Sequence, residues 1–265
     1  QTAMNRSIAW LALCQGLFLT NNVVFIAING LVGLHLAPAS WMATLPVMGY
    51  VVGGALSTPL VARSQARLGR QGSFQLGLLV ALGSAALCAL AAYWQHFVLL
   101  CLSTLVAGYY SANGQLYRFE AAELVAPAQR DKAISLVLAG GLIGAVLGPG
   151  LASATRTMFA TPFLGAYLAL MVVAVVSMGL MRLVRFAPQA AGAGAGSAPQ
   201  RTVGELLRQP GFAVATLAAA ASYGVMNLLM AATPLAMDVC GFDFSAAAGV
   251  LQWHVIGMFA PGFFT

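Results

Sequence analysis

The chain has 265 residues, of which 60 % are hydrophobic and 7 % are charged, and its mean hydropathy is +0.87. A soluble domain usually has about a quarter charged residues, so this composition excludes a chain folded around one water-soluble core. The net charge of +6 does not indicate nucleic-acid binding, because the basic residues form no stripe and are not interleaved with aromatic residues. The four cysteines include no CxxC pair and predict neither a disulfide framework nor a zinc site.

Long apolar segments follow one another along the whole chain. A run of about 20 apolar residues crosses a hydrocarbon core about 30 Å thick as an α-helix, whereas a lone strand could not satisfy its backbone there. We therefore predict an all-α membrane protein with eight spans, the last of them cut short, at Ile8–Leu36, Met42–Val61, Phe74–Tyr93, Phe97–Tyr117, Ala133–Ala154, Pro162–Leu183, Phe212–Met237 and Ala246–Phe264.

Basic residues occupy alternate gaps between these spans. Eleven of the 12 Lys and Arg precede span one or lie between spans two and three, four and five, or six and seven, and Arg156 is the exception. Lys and Arg concentrate on the cytoplasmic side of short loops. We therefore expect a protein integral to the plasma membrane (the bacterial inner membrane) with its N-terminus in the cytoplasm.

The longest connection separates six spans from the last two. It contains the small-residue run 190–197, typical of a flexible linker, and then Thr202 and Glu205 at the spacing of a capping box. We predict a six-helix lobe at 1–186, a cytoplasmic linker with a short surface helix at 187–210, and the start of a second lobe at 211–265. The chain begins without Met and stops inside an apolar run, which we interpret as a fragment of a longer protein.

The gap between spans two and three reads ARSQARLGRQ over positions 62–71. It resembles the signature loop of the major facilitator superfamily, Gly-x-Leu-Ala-Asp-Arg-x-Gly-Arg-Arg, at Arg67, Gly69 and Arg70, although Ala66 stands where the family has Asp. The resemblance implies a helical bundle of 12 spans in two lobes, with this loop helping to latch a cytoplasmic gate. The alternative is an ordinary basic loop with a glycine turn.

The gap between spans four and five is similar to a second element of that family. Glu123 is followed after six residues by Arg130. Arg118, nearby, either extends to the interface or faces the cavity and pairs with a glutamate. Solvated surface charges, worth about 0–1 kcal/mol per pair, are the alternative to a gate. The predicted cytoplasmic gate comprises Arg67, Gly69, Arg70, Arg118, Glu120, Glu123 and Arg130.

Span five is rich in glycine. Gly140, Gly144 and Gly148 are four residues apart and form one small face, which lets a neighbouring helix approach closely. Pro149 removes a backbone hydrogen bond and permits a kink. The segment resembles the fifth-span motif of proton-driven exporters in the superfamily, although positions 152 and 153 lack the final glycines of that motif. Ordinary close packing is the alternative.

Polar residues inside spans one, four, seven and eight are the candidates for a substrate site, because such residues are costly in lipid and usually face protein or water. The resemblance implies that the same four spans line a central cavity. Any single candidate could instead only hydrogen-bond a neighbouring helix. The candidates are Gln15, Asn21, Asn22, Asn29, Tyr109, Tyr110, Asn113, Gln115, Tyr117, Tyr223, Asn227, Gln252 and Trp253.

Among the Asp, Glu, His, Lys and Arg residues, His254 is the one placed well inside a predicted span. Histidine is the side chain that ordinarily changes charge near neutral pH, so His254 is our candidate for carrying a coupling proton. Its alternative role is a hydrogen bond to a helix backbone. The sequence contains no P-loop, HExxH or GxSxG motif, and therefore no indication of ATP hydrolysis or of an enzyme.

These features predict a secondary transporter that works without a cofactor or resident metal, as a monomer in the bilayer. Its lobes would rock to expose a midplane cavity to each side in turn. We expect export of a small, largely apolar or weakly polar solute in exchange for protons. The alternatives are proton-coupled uptake of a small metabolite, metal-ion export on the same fold, and a membrane protein that transports nothing, such as a receptor or assembly factor.

Overall fold

The computed structural model describes residues 2–186 and 202–260, and within these ranges the chain is helical and contains no strand. The predicted all-α architecture is confirmed. The small-residue run at 190–197 and the end of span eight lie outside the described residues. The helices are α1 (Thr2–Leu36), α2 (Leu45–Tyr93), α3 (Phe97–Gly114), α4 (Tyr117–Glu123), α5 (Arg130–Ala139), α6 (Gly141–Thr155), α7 (Leu164–Leu183), α8 (Val203–Leu207), α9 (Pro210–Val239) and α10 (Phe244–Phe259).

The helices of the described residues account for eight membrane spans. Six helical segments are long and apolar enough to cross a membrane, and the apolar helix Phe244–Phe259 is shorter. One of the six segments, Ser40–Tyr93, has 54 residues. A straight helix of that length would measure about 80 Å, far more than the hydrocarbon core, so this segment supplies two spans.

The chain reverses direction at Gly69, within α2. Gly69 has φ 70° and ψ 177°, a conformation that glycine adopts at little cost because it lacks a Cβ. The hydroxyls of Ser64 and Ser73, nine residues apart, lie 2.6 Å from each other, which a continuous helix would not allow. The segment 62–73, which was predicted to be a loop, is thus helical on both sides of Gly69. Its Ala, Arg, Gln and Leu residues are good helix formers.

Two predicted spans are divided. Span four ends as α3 at Gly114, and after Gln115 and Leu116 the chain continues as α4. Span five consists of α5 and α6, which meet at Gly140, and the second of these helices continues through Pro149. Consecutive glycines weaken a helix, which accounts for the division at 140–141.

Helix α1 lies in the centre of the bundle and is buried along most of its length. The glycines of α5 and α6 let these helices approach it closely: a Cβ added at Gly140 would meet the carbonyl of Ala12, and one at Gly148 would lie 3.1 Å from Val23. The face of small residues predicted in span five therefore packs against α1.

Helix α8 is a short helix with a complete capping box. The Thr202 hydroxyl accepts a hydrogen bond from the Glu205 N–H at 3.3 Å, and the Glu205 carboxylate accepts one from the Thr202 N–H at 2.8 Å. This satisfies two amide groups that the first turn of a helix leaves unpaired. The helix begins directly after Thr202, as the capping-box spacing of Thr202 and Glu205 predicts.

Candidate functional site

A cavity of about 400 Å³ lies where α1 and the α3–α4 junction face α9 and α10. Its volume is within the range of about 300–1,000 Å³ that is usual for small-molecule sites. The walls are mostly apolar and carry a few polar groups. They consist of Gln15, Leu19, Asn22, Val23, Gln115, Arg118, Leu138, Tyr223, Met226, Met230, Val255, Met258 and Phe259.

The polar groups contributed by α1 are unpaired. Gln15 and Asn22 are buried, and neither the Oε1 atom of Gln15 nor the Oδ1 atom of Asn22 has a hydrogen-bond partner among the described residues. A buried polar atom without a partner costs about 1–3 kcal/mol. These two oxygens are therefore available to accept hydrogen bonds from a bound solute, and Gln115 and Tyr223 add polar groups to the same walls.

Arg118 lines this cavity and is the charged member of its described walls. Its guanidinium lies 4.9 Å from the centroid of the Phe119 ring, and its buried Nε atom has no hydrogen-bond partner within the described part of the chain. The ion pairs seen there join neither Glu120 nor Glu123 to it. Of the two alternatives that the sequence left open for Arg118, the structure agrees with the second in that Arg118 faces the cavity, but not in the predicted pairing with a glutamate.

Asn29, a candidate for the substrate site, instead connects helices away from the cavity. It is fully buried, and its Nδ2 donates a hydrogen bond to the Phe25 carbonyl at 2.7 Å. Its Oδ1 accepts a hydrogen bond from the Tyr167 hydroxyl of α7 at 2.8 Å. Asn29 therefore joins α1 to α7.

Two further candidates, Tyr109 and Asn113, form a polar network with both halves of α2. The Tyr109 hydroxyl donates to the Oγ atom of Ser64 at 2.8 Å, and Asn113 Nδ2 donates to the Ser73 carbonyl at 3.0 Å. Because the Ser64 and Ser73 hydroxyls also form a hydrogen bond with each other, the network joins α3 to both halves of α2, on either side of the turn at Gly69.

The remaining candidates do not line the cavity. Asn21, Tyr110 and Tyr117 are buried. Asn227 donates to the backbone carbonyl one helical turn earlier at 2.8 Å. Gln252 is half-buried, and Trp253 is 74 % exposed. Of the predicted set, Gln15, Asn22, Gln115 and Tyr223 are thus brought together.

The apolar walls contain residues that were not among the candidates. Three of them, Leu138, Met258 and Phe259, belong to apolar stretches of the sequence. Within these stretches, neither polarity nor charge distinguishes a wall residue from its neighbours. Only the packing of α5 and α10 against α1 identifies them. Met226 and Met230, one turn apart on α9, lie on the same side as Tyr223 at the i, i+3 and i, i+4 spacings of a helix face.

Two of the predicted gate residues, Glu120 and Glu123, pair with a third, Arg70. Its guanidinium lies 3.1 Å from the Glu120 carboxylate, without hydrogen-bond alignment, and also pairs with Glu123. These contacts join the turn in α2 to α4. Arg67 and Arg130 are exposed, and neither forms an ion pair with a described residue.

The two glutamates should contribute unequally to stability. The Glu120 side chain is 8 % exposed and that of Glu123 is 53 % exposed. Breaking a buried ion pair costs more than breaking a solvated one, because a desolvated charge loses its partner. We expect Glu120→Gln to lower the free energy of unfolding by about 2 kcal/mol, and Glu123→Gln by about 0–1 kcal/mol.

Thermal melting of the two purified variants checks this expectation. Arg63→Gln serves as the control, because Arg63 is exposed and forms no ion pair within the described ranges. Equal melting temperatures for the two glutamate variants would contradict an unequal role for the two carboxylates.

His254 lies on α10 beside the cavity-lining Val255 and is half-buried. Its Nε2 atom is buried and has no hydrogen-bond partner among the residues that the structure describes. Those residues also contain no group of three or more His, Cys, Asp or Glu that could hold a metal ion.

The family model of the Major Facilitator Superfamily matches residues 8–264 of this sequence. The chain belongs to this superfamily. The predicted family is thereby confirmed, and since it is a family of membrane transporters, the sequence is that of a transporter and not of an enzyme.

Three curated relatives are similar over most of this chain. The riboflavin transporter RfnT of Brucella anthropi is 35 % identical over 265 residues, which are 100 % of this chain and 67 % of the relative. Two uncharacterized MFS-type transporters of Bacillus subtilis are more distant. YddS is 24 % identical over 89 % of this chain and 57 % of its own length, and YdeG is 25 % identical over 91 % and 59 %. The chain therefore spans between about half and two thirds of these relatives. No solved structure matches it.

Proposed function

We propose that this chain carries the substrate cavity of a secondary transporter that moves riboflavin, or a flat heteroaromatic solute of similar size, across the membrane by alternating access. The observation that carries the proposal is the cavity of about 400 Å³ bounded by α1, the α3–α4 junction, α9 and α10. The similarity over the whole chain to a riboflavin transporter supports this choice of solute.

The chemistry of the walls suits such a solute. Riboflavin joins a flat tricyclic ring to a hydroxylated chain and has no net charge. Met226, Met230 and Met258 offer flexible, polarizable surfaces that adapt to a flat ring. Gln15 and Asn22 have unpaired oxygens that can accept hydrogen bonds from ring N–H or chain hydroxyl groups.

Arg118 would donate hydrogen bonds to the carbonyl oxygens of the ring. Hydrogen bonds to a charged group are worth about 1.5–3 kcal/mol, more than those between neutral groups. A single cation in the described walls of a mostly apolar cavity also suits a neutral solute rich in hydrogen-bond acceptors better than a solute that carries several negative charges.

The arrangement in the membrane is part of the proposal. The basic ends of the helices, including the Arg70 gate, would face the cytoplasm with the N-terminus, because Lys and Arg favour that side. Residues 1–186 would form one lobe and 211–265 the start of the other. Breaking the pairs of Arg70 with Glu120 and Glu123 would open the cytoplasmic side, and a monomer in the inner membrane would suffice.

A transport assay tests the proposed function. The full-length protein is reconstituted in proteoliposomes, and riboflavin flux is followed by its own fluorescence. Saturable riboflavin flux, absent from empty liposomes, is the expected result. Verified insertion without flux of riboflavin or of related flavins would overturn the choice of solute.

The same assay decides the direction. The prediction of export depends on the resemblance of span five, whose glycines pack against α1. Uptake is the alternative. Net movement of riboflavin away from the cytoplasmic face of the protein would support export. Net accumulation of riboflavin on the cytoplasmic face would support uptake.

We propose that His254 carries the coupling proton. Its unpaired Nε2 atom and its position next to a cavity-lining residue support this role, and no Asp, Glu or His is found in the described walls of the cavity. In His254→Gln, we expect riboflavin-dependent proton flux to fall at least about tenfold, while riboflavin binding stays within about twofold.

The measurement uses an internal pH dye together with a binding titration on the same preparation. His96→Gln is the matched control, because His96 is not among the described residues of the cavity wall and caps α3 by accepting a hydrogen bond from the Leu99 N–H. Unchanged proton flux in His254→Gln would exclude His254 as the coupling residue.

A further inference from the structure

A second cavity, of about 310 Å³, lies at the basic end of the bundle, where α1 begins and α7 ends. It shares no residue with the proposed substrate cavity. Three of the six described residues that line it are arginines, and the Arg70 ion pairs involve none of them. The lining residues are Arg6, Ser7, Trp10, Arg182, Leu183 and Arg185.

The three positive charges of this cavity have no negative partner in the described structure. All six Asp and Glu residues of the chain lie within the described ranges, yet none lines the cavity. The ion pairs seen in those ranges both belong to Arg70. The carbonyl end of α7 supplies only about half a negative charge, so the site is strongly positive.

Backbone contacts hold the arginines in place. Ser7 is buried, and its Oγ atom accepts the Arg185 N–H at 3.2 Å, which ties the end of α7 to the start of α1. The carbonyl of Arg182 accepts a long hydrogen bond of 3.5 Å from Gln71 of α2. Because both contacts use backbone atoms of the arginines, their guanidinium groups are left for a ligand.

We propose that this cavity binds a phosphate group, taken either from the headgroup of an anionic lipid or from a free phosphate ion. The planar guanidinium fork matches phosphate oxygens in paired hydrogen bonds, and basic pockets between membrane helices are suited to anionic headgroups. Trp10, half-buried at the cavity wall, has the amphipathic ring typical of the headgroup level of a bilayer.

Native mass spectrometry of the full-length protein in detergent tests the proposal. Phosphatidylglycerol is titrated with phosphatidylcholine as the reference, and the double variant Arg182→Gln/Arg185→Gln is compared with the wild type. We expect phosphatidylglycerol to bind at least about tenfold more weakly to the variant, as the loss of charged hydrogen bonds implies. Binding of phosphatidylcholine should not change.

The matched control is Arg63→Gln/Arg208→Gln, which removes two exposed positive charges outside the cavity. It should lower phosphatidylglycerol binding less than about twofold, since general surface charge is screened. Arg6→Gln, which lies on α1 and leaves the end of α7 unchanged, keeps the test valid if the double variant does not fold, and it too should weaken binding.

Inorganic phosphate distinguishes the two sources of the ligand. If phosphatidylglycerol binds and millimolar phosphate does not displace it, the site takes a lipid headgroup. If phosphate displaces the lipid, or if it binds in the absence of lipid and binds more weakly to the cavity variants, the site takes a free phosphate. Equal losses in the cavity and control variants, or no binding of either anion, would overturn the proposal.

Discussion

Replacement of Gly144 by valine is expected to lower the melting temperature of the protein by roughly 5–10 °C, or to prevent its folding. A Cβ at this position would lie 2.6 Å from Leu19 Cβ, 2.8 Å from the Thr20 nitrogen and 2.9 Å from the Gly16 carbonyl oxygen. Two of these neighbours are backbone atoms of α1, which cannot move aside as a flexible side chain can. The overpacking cost, typically about 1–3 kcal/mol, should therefore be large here.

Gly150→Val is the matched control for this substitution. Gly150 is on the same helix, α6, but nothing within 4 Å would meet its added Cβ. Melting followed by tryptophan fluorescence should separate the two variants clearly. If both melted at the wild-type temperature, the close packing of α6 on α1 would not be needed for stability.

Replacement of Arg118 by glutamine is expected to weaken riboflavin binding by about tenfold to a hundredfold, as the loss of hydrogen bonds to a charged group implies. The reason is that Arg118 is the charged group in the described wall of the cavity and its Nε atom is unpaired there. The maximal transport rate should change less than the affinity, because in the proposed function this side chain would hold the solute, and it takes no part in the Arg70 ion pairs.

Quenching of riboflavin fluorescence on binding measures the affinity, and thermal melting checks that the variant is folded. Arg63→Gln again removes one exposed charge and should bind riboflavin as the wild type does. A folded Arg118→Gln variant with unchanged affinity would show that the solute does not reach this side chain.

The sequence identified polar residues inside the spans, but it did not distinguish those that line the cavity from those that bond a neighbouring helix. Gln15 and Asn22 lie in the cavity wall, while Asn29 and Asn113 bond neighbouring helices. All four are amides within apolar spans, so composition and position along the helix do not distinguish them. The distinction depends on which face of the helix meets a neighbouring helix.

The position of Arg118, at the end of a span, could likewise not be predicted from the sequence. In the sequence it stands beside Glu120 and Glu123, which favoured a place in the gate. The helix divides at 115–116, and α4 restarts with Arg118 turned to the cavity while Glu120 meets Arg70. Such a break depends on packing and has no clear signal in the local sequence.

The sequence by itself determined the number of spans, the distribution of positive charge, the family and the small face of span five, because lipid imposes its demands on length, polarity and charge locally. The tertiary structure alone decided that the chain reverses at Gly69, that α6 packs on Gly16 of α1, and which polar atoms remain unpaired. These features depend on contacts between helices far apart in the chain. In a protein that is apolar almost everywhere, hydrophobicity does not specify which helices meet.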